Sequence, residues 1–488
     1  MNSQSHRLSF IALSLLLSAC TVGPDYQTPA LNTPESFKQV AGWKVAEPAA
    51  QMPEDWWSLY GDAELNALIG RLNANNQSLA SAAASYRQAQ AIVRGARAGF
   101  LPQINLNTGV SRAGQGGGSS TIGTTEGVSV SGANAASVSK TYEASLGVSW
   151  ELDLWGKLRR QLEADQASLE ASAADLAAVR LSQQSQLVQN YLQLRVLDEQ
   201  KRLLEATLAA YERSLKLTEN QYNAGIVPRS DVSQAQSQLH GTRAQLIDLE
   251  YQRAQFEHAI AVLIGVAPSE LSLAPRTGVP ELPGVPASVP SRLLERRPDI
   301  AAAERRVMSA NAQIGVAEAA WYPDLTLSAT GGYRNGALDD WFSLPNRFWS
   351  IGPNFATVLF DGGLIRSQVE QAEAAYDVSV ANYRQTVLTG FREVEDYLVQ
   401  LDVYTRELAA REQALEAARE ALRLVENQYK AGTVDYNAVV SLQASALDSE
   451  RNWLSLKGNR LLASAQLITA LGGGWQAGEG AEAAATKP

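Results

Sequence analysis

The chain has 488 residues, with 41 Lys and Arg set against 51 Asp and Glu for a net charge of −10. That balance, without a long basic block, argues against nucleic acid as a partner, and three histidines with a single cysteine, Cys20, exclude a Cys-based zinc site and an internal disulfide framework. Charged residues make up only 19% of the chain, as expected where much surface packs against like chains or faces lipid.

The first element is a processing segment. His6 and Arg7 precede the apolar run Leu8–Leu17, too short to span a bilayer as a helix, and Leu17-Ser18-Ala19-Cys20 follows. Residues 1–19 therefore read as a lipoprotein signal peptide, with Cys20 acylated as the new N-terminus. Thr21 stands where an aspartate would favour inner-membrane retention, which leans towards the outer membrane. Beyond Cys20 no apolar run approaches 18 residues, so a membrane role must come from strands.

Residues 20–61 read as a lipid-anchored tether, Pro-rich and without periodicity over most of their length. Helical pattern begins near Asp62, and a second helix follows Asn75-Asn76 as a cap and runs to about Gly99. Alternation then predicts strands over about 102–112 (Ile104, Leu106 and Val110 against Gln103, Asn105 and Asn107) and 140–154 (Tyr142, Ala144, Leu146, Val148, Trp150, Leu152), separated by a Gly/Ser-rich loop, 113–139. From Lys157 to Ala224 there is neither proline nor glycine, which predicts a helix of about 100 Å. Leucines seven apart (Leu162, Leu169, Leu176; then Leu197, Leu204, Tyr211; and Leu208, Leu215, Tyr222) predict side-by-side helix packing. A Gly turn near Gly225 leads into a return helix, about 229–264.

The second half repeats this plan. Residues 215–227 (LKLTENQYNAGIV) recur 207 positions later as 422–434 (LRLVENQYKAGTV), with nine of thirteen identical. Strands are predicted at about 322–333 and 348–360, a long helix over 364–431 broken only by Gly390, a turn near Gly432 and a return helix over about 434–471. The two repeats thus cover 62–265 and 299–471, joined by a proline-rich linker, 266–298, with a disordered tail over 472–488. Aromatics gather at the strand ends: Phe100, Trp150 and Trp155 in the first copy, and Trp321, Tyr322, Trp341, Phe348, Trp349 and Phe360 in the second. Such girdles suit membrane strands better than a soluble sandwich. Four strands cannot close a barrel, so like chains must complete one at eight, twelve or more strands.

These residues resemble the TolC-like outer-membrane factor family, in its lipoprotein (NodT-type) branch serving tripartite efflux. The marks are Cys20-Thr-Val-Gly-Pro-Asp-Tyr26, Asp55-Trp-Trp57, Leu293-Leu-Glu-Arg-Arg-Pro-Asp-Ile300, Tyr322-Pro323 and the two Tyr-x-Ala-Gly turns. The resemblance implies a mixed α and β fold: a homotrimer with a 12-stranded outer-membrane β-barrel continued by a 12-helix periplasmic α-barrel. It implies no cofactor beyond the covalent lipid on Cys20. The implied partners are outer-membrane lipid, a periplasmic adaptor (membrane fusion protein) and an inner-membrane RND pump. Gly225 and Gly432 then mark the periplasmic tips where the adaptor docks, and Asp231 and Tyr429 match positions that hold the tip closed. The chain departs from the family pattern at Val434, Ala438 and Ser441, where charged residues are common. Asp435 and Arg229 are the charges left nearby, with a solvated face as their simpler reading.

The resulting expectation is a passive exit duct for drugs or other small toxic compounds, not an enzyme, with an acidic and cation-selective lumen. A type I protein secretion duct and a non-conducting envelope scaffold are the alternatives, and bilayer conductance separates the scaffold. The carboxylates Glu393, Glu395 and Asp396 lie along one helix among ordinary charge neighbours, and no phosphate-cradling glycine loop is present.

Overall fold

The computed structural model describes residues 21–31, 53–115, 119–121, 131–133, 137–284 and 296–475. The signal peptide, Cys20, residues 293–295 of the Leu293–Ile300 mark and the tail from 476 onward lie outside the described residues. The chain forms two compact units. One holds the residues up to Gln27 with 89–169 and 306–379; the other holds 28–88, 170–305 and everything from 380.

The first unit is built on an antiparallel sheet of four strands: β1 (Gln103–Gln115), β4 (Ser137–Leu152), β5 (Asp324–Asn335) and β6 (Arg347–Ala356), in the order β1-β4-β5-β6. Two three-residue strands, β2 (Ser119–Thr121) and β3 (Ser131–Ala133), pair with each other between β1 and β4. Over the middle of the sheet the register sorts side chains by chemistry. Ile104, Val148, Ala329 and Ile351 form one row across the sheet, and Leu106, Leu146, Gly331 and Trp349 the next. Between them lie Asn105, Gly147, Thr330 and Ser350, which point to the opposite face. Ile104, Leu106, Leu146, Trp349 and Ile351 are 55–72% exposed. A continuous exposed apolar face of this kind needs a non-aqueous neighbour.

The second unit is helical. α1 (Ala63–Asn75) starts at Asp62, whose carboxylate accepts from the Glu64 and Leu65 amides at 2.9 and 3.3 Å. α2 (Gln77–Ala98) starts at Asn76, whose side chain accepts from Leu79 N at 3.0 Å. The long helices α3 (Lys157–Asn223) and α6 (Leu364–Lys430) are each followed by a return helix, α4 (Arg229–Leu263) and α7 (Tyr436–Ala470). α5 (Pro298–Ala319) opens the second repeat. The core gathers Leu65, Ile69 and Leu72 of α1 with Leu187, Tyr191 and Leu194 of α3, and with Ile260, Leu461 and Ile468 of the return helices.

Several expectations are corrected. The Gly/Ser-rich loop over 113–139 is shorter than predicted, because β1 runs to Gln115, β4 starts at Ser137 and the β2–β3 pair lies between. Ladder hydrogen bonds need only backbone, so alternation of side chains is blind to strands made of Gly, Ser and Ala. The tether does not extend to 61: Trp56–Tyr60 is a 3₁₀ helix with Trp56 fully buried, and Tyr60 Oη lies 2.8 Å from Ser464 Oγ in the core. Nor is the start of the tail loose. Gly472, Gly473 and Gly474 are buried with positive φ, and a Cβ on them would come within 2.1–2.3 Å of Arg296 O, Leu181 Cδ1 and Pro53 O. The heptad of Leu197, Leu204 and Tyr211 is buried, but at the start of α3 the buried stripe is Ala164, Ala167, Ala171 and Ala174, not Leu162, Leu169 and Leu176. Small side chains let helices approach closely, and the leucines flank that seam.

The linker is also more than a proline-rich connection. Asp198 of α3, with its side chain 1% exposed, accepts from Arg253 Nε at 2.7 Å, Arg195 Nη1 at 3.2 Å and the Arg276 amide at 3.2 Å. Arg195 donates to Thr277 O and Gly278 O, and Arg253 to Leu273 O. Residues 273–278 are thereby fixed on α3 and α4 by buried charge.

Candidate functional site

The two glycine turns are built alike. Gly225 N donates to Tyr222 O at 2.9 Å and Ile226 N to Gln221 O at 2.9 Å; Gly432 N donates to Tyr429 O and Thr433 N to Gln428 O, both at 3.0 Å. This is the Schellman pattern, in which the residue after the helix takes the left-handed conformation. Gly225 and Gly432 have φ of +72° and +71°, so glycine is the residue for both. The second helix of each pair starts differently. Pro228 precedes α4 without a side-chain cap, whereas Asp435 caps α7 by accepting from Ala438 N at 3.1 Å.

Inside the turns lies a cluster of hydroxyl groups. Tyr429, in the last turn of α6, is 9% exposed and donates from its hydroxyl to Gln221 Oε1 of α3 at 2.7 Å. Its ring is 5.4 Å from that of Tyr436, the first residue of α7 and 2% exposed, whose hydroxyl lies 3.1 Å from Ser214 Oγ. Thr218 is fully buried between them. Val425, Val439, Val440 and Ala235 close the cluster, with Val434 and Ala438 packed against it. Burial pushes both tyrosine hydroxyls above their ordinary pKa; the neighbouring Ser214 and Thr218 hydroxyls pull back, and the charge on Asp231 adds to the rise. Proton uptake or release by these phenols is therefore absent near neutrality.

Of the residues singled out in the sequence, Tyr429 and Asp231 are brought within electrostatic reach. Gly225 and Gly432 occupy the turns, and Asp435 is a helix cap. Arg229 is the exposed first residue of α4 and forms no ion pair among the described residues. The packing of Val434 and Ala438 explains why charge is absent at those positions: both face the apolar side of the tip. Tyr436, Ser214, Thr218 and Gln221 were not anticipated. Thr218 was legible in principle, since Leu204, Tyr211 and Thr218 continue one buried heptad line and a polar residue there must find partners. The repeat is also unequal. Tyr222, which corresponds to Tyr429, is 39% exposed, and Arg229 stands where the second copy has Tyr436.

In the first unit, the segment after Cys20 is held at the sheet's helix-bearing end. Val22 N donates to Trp155 O at 3.0 Å, and Asn311 Nδ2 to Pro24 O at 2.9 Å. Arg160, its side chain 6% exposed, donates to Val22 O, Gly23 O and Asp25 Oδ1 at 3.0–3.1 Å and pairs with Glu163 at 2.8 Å. Trp155 in turn stacks on Tyr322 at 4.9 Å and donates to Pro323 O. Cys20 itself is outside the described residues, but its neighbour Thr21 begins beside an aromatic collar. Among the described residues no cluster of His, Cys, Asp or Glu suits a metal ion, and no helix is long and apolar enough to cross a membrane.

Comparison with known proteins agrees with this geometry. The model of the outer membrane efflux protein family matches residues 68–266 and again 289–473, one match on each repeat. The pyoverdine export outer membrane protein OpmQ of Pseudomonas aeruginosa is 34% identical over 96% of this chain and 97% of its own length. The toluene efflux pump outer membrane protein TtgF of Pseudomonas putida is 30% identical over 97% of each chain. The solved structure of the outer-membrane channel OprN is 30% identical, superposes with a TM-score of 0.84, and covers 94% of this chain and all of its own.

Proposed function

Because the chain belongs to the outer membrane efflux protein family, we propose that three copies assemble into one exit duct through which small toxic compounds leave the cell. The chain is the outer-membrane channel component of an efflux system. In the proposed trimer, twelve strands close the barrel and the long helices of three chains form a periplasmic α-barrel beneath it. Acylation of Cys20 adds a lipid anchor at the collar of Trp155 and Tyr322.

One observation carries the assembly: a four-stranded sheet whose apolar face is largely exposed and whose edge strands, β1 and β6, each have one side unpaired among the described residues. In hydrocarbon each unsatisfied backbone group costs several kcal/mol, so the edges must pair with neighbouring copies. Two copies would give eight strands, whose interior side chains fill, while three give twelve and leave a lumen. The polar rows then line the lumen and the apolar rows meet lipid.

The glycine turns are the proposed docking site for a periplasmic adaptor, which connects the duct to an inner-membrane pump of the RND class that supplies the energy. The hydroxyl cluster of Tyr429, Tyr436 and Thr218 keeps each protomer's tip compact. OpmQ and TtgF are named for different cargo, pyoverdine and toluene, at 34% and 30% identity to this chain, so cargo does not follow from kinship. Both are small molecules, which favours efflux over polypeptide secretion.

The test is to purify the acylated chain in mild detergent, determine its mass, and reconstitute it in planar bilayers. A trimer with measurable conductance is the expected result. A stable monomer that never conducts would overturn the duct and favour the scaffold.

A further inference from the structure

At the sheet end remote from the helices, the lipid-facing side carries an arrangement that barrel closure does not require. Arg112 of β1 and Lys140 of β4 are direct cross-strand partners. Alternation from Ile104, Leu106 and Val110 on β1, and from Leu146 and Tyr142 on β4, places both cations on the apolar outer face. Like charges directly opposite each other in a ladder are destabilising. Both residues are exposed, and neither forms an ion pair among the described residues. Glu143, three residues along β4 from Lys140, points to the other face and is held by Arg334 at 2.9 Å.

The surroundings form a graded sequence along the strands. The apolar rows end at Val110 and Tyr142. Tyr142 lies 5.9 Å from Trp341, and Tyr333, one row earlier, lies 5.5 Å from Phe342, so the last of these rows carry an aromatic belt. The Lys140 ammonium sits 4.6 Å over the Tyr142 ring, and the Arg112–Lys140 pair comes next. Arg347, opposite Tyr333 on β6, lies on the same face at the level of the aromatic belt, two rows short of the Arg112–Lys140 pair. Acyl chain, interface and phosphate would meet these three layers in that order.

We propose that Arg112 and Lys140 together bind a phosphate of the phosphorylated glycolipid in the outer leaflet. Directly opposed residues in an antiparallel ladder have Cα atoms about 4.5–5.5 Å apart, which lets a guanidinium and an ammonium close on one phosphate. The anion converts a repulsive pair into a stabilised one. The glycolipid is favoured over a phospholipid because this end of the strands is opposite the helix-bearing end, hence in the outer leaflet. The inference rests on the outer-membrane trimer proposed above.

The experiment is native mass spectrometry of the purified full-length protein with bis-phosphorylated lipid A, monophosphorylated lipid A or phosphatidylglycerol. The wild type is expected to hold the bis-phosphorylated lipid most tightly, and R112Q/K140Q to weaken it by about tenfold or more with the mass of the assembly unchanged. Equal retention by the variant, or equal affinity of the wild type for phosphatidylglycerol, would overturn the site. Should the double variant not assemble, the ranking of the three lipids by the wild type decides alone. A protein that never exceeds the mass of one chain would instead sink the trimer, and this site with it.

Discussion

The Tyr429 hydroxyl donates to Gln221 Oε1 at 2.7 Å, which ties the last turn of α6 to the last turns of α3 within a single protomer. The bond is mostly shielded from water, and its partners come from the two different repeats. Removing it leaves a half-buried acceptor that water can reach in part, at a cost of about 1 kcal/mol. Tyr429→Phe is therefore expected to loosen the tip and raise single-channel conductance. Gln221→Leu removes the same bond and is expected to act alike, with little further gain when the two are combined. Unchanged conductance in both single variants would show that closure rests elsewhere.

The pH dependence of the tip follows from the same tyrosines. Burial raises the pKa of Tyr429 and Tyr436 above their ordinary value of about 10. An acid whose folded-state pKa is raised favours the neutral form in the folded state. Its contribution is thus complete below the unfolded pKa and is lost as pH rises through the folded one. Between neutrality and about pH 9 the phenols are expected to leave tip stability unchanged, with loosening only above about pH 10. Protease cleavage at the turns, followed against pH alongside tyrosinate absorbance, checks this. A tip that opens between pH 6 and 8 through these residues would contradict it.

Much of this architecture was legible because its physics is periodic. The strands were legible over about 102–112 and 140–154, where apolar and polar side chains alternate, but not over the Gly/Ser-rich ends that extend them to 115 and back to 137. Asp62 and Asn76 marked helix starts because orphan amides need side-chain acceptors. What escaped notice depends on partners distant in sequence. Nothing local says that Thr218 must sit between Tyr429 and Tyr436, or that Asp198 holds a linker 78 residues further on. The buried position of Trp56 was hidden inside a proline-rich stretch whose composition suggests extension. The β2–β3 pair carries no side-chain alternation at all.

The glycines at the turns make a separable prediction. No atom lies within 4 Å of a Cβ built on Gly225 or Gly432, so an alanine there meets no clash. The penalty is conformational alone, roughly 1–2 kcal/mol for a left-handed non-glycine residue. Gly225→Ala and Gly432→Ala are each expected to lower stability by about that amount, measurable as faster hydrogen exchange in the flanking turns. Losses far above this would mean that the turns touch a neighbouring copy.

Net charge predicts selectivity. With 51 acids against 41 bases in the chain, a closed assembly carries an acidic excess, and a narrow polar path concentrates counter-ions. Reversal potentials in planar bilayers under a salt gradient are expected to show cation preference at neutral pH, weakening as ionic strength rises. Anion preference would contradict the expectation and locate the selective region at a basic site.

The buried charge at Asp198 predicts the largest single effect on stability. Its side chain is 1% exposed and accepts from two guanidinium groups, Arg253 at 2.7 Å and Arg195 at 3.2 Å, as well as from the Arg276 amide. Asp198→Asn keeps the volume but removes the charge, and leaves two cations with fewer partners in a region that water does not reach. Breaking a buried pair in this way costs about 3–5 kcal/mol. By contrast Arg202, 64% exposed in its pair with Glu199, is expected to yield about 1 kcal/mol or less on replacement by Gln. The distinguishing measurement is amide exchange over residues 273–278. Asp198→Asn should release their protection while the turns at Gly225 and Gly432 stay as they were, because the lock fixes the linker and not the tip. Equal small losses from both variants would show that the linker is held by its backbone contacts rather than by charge.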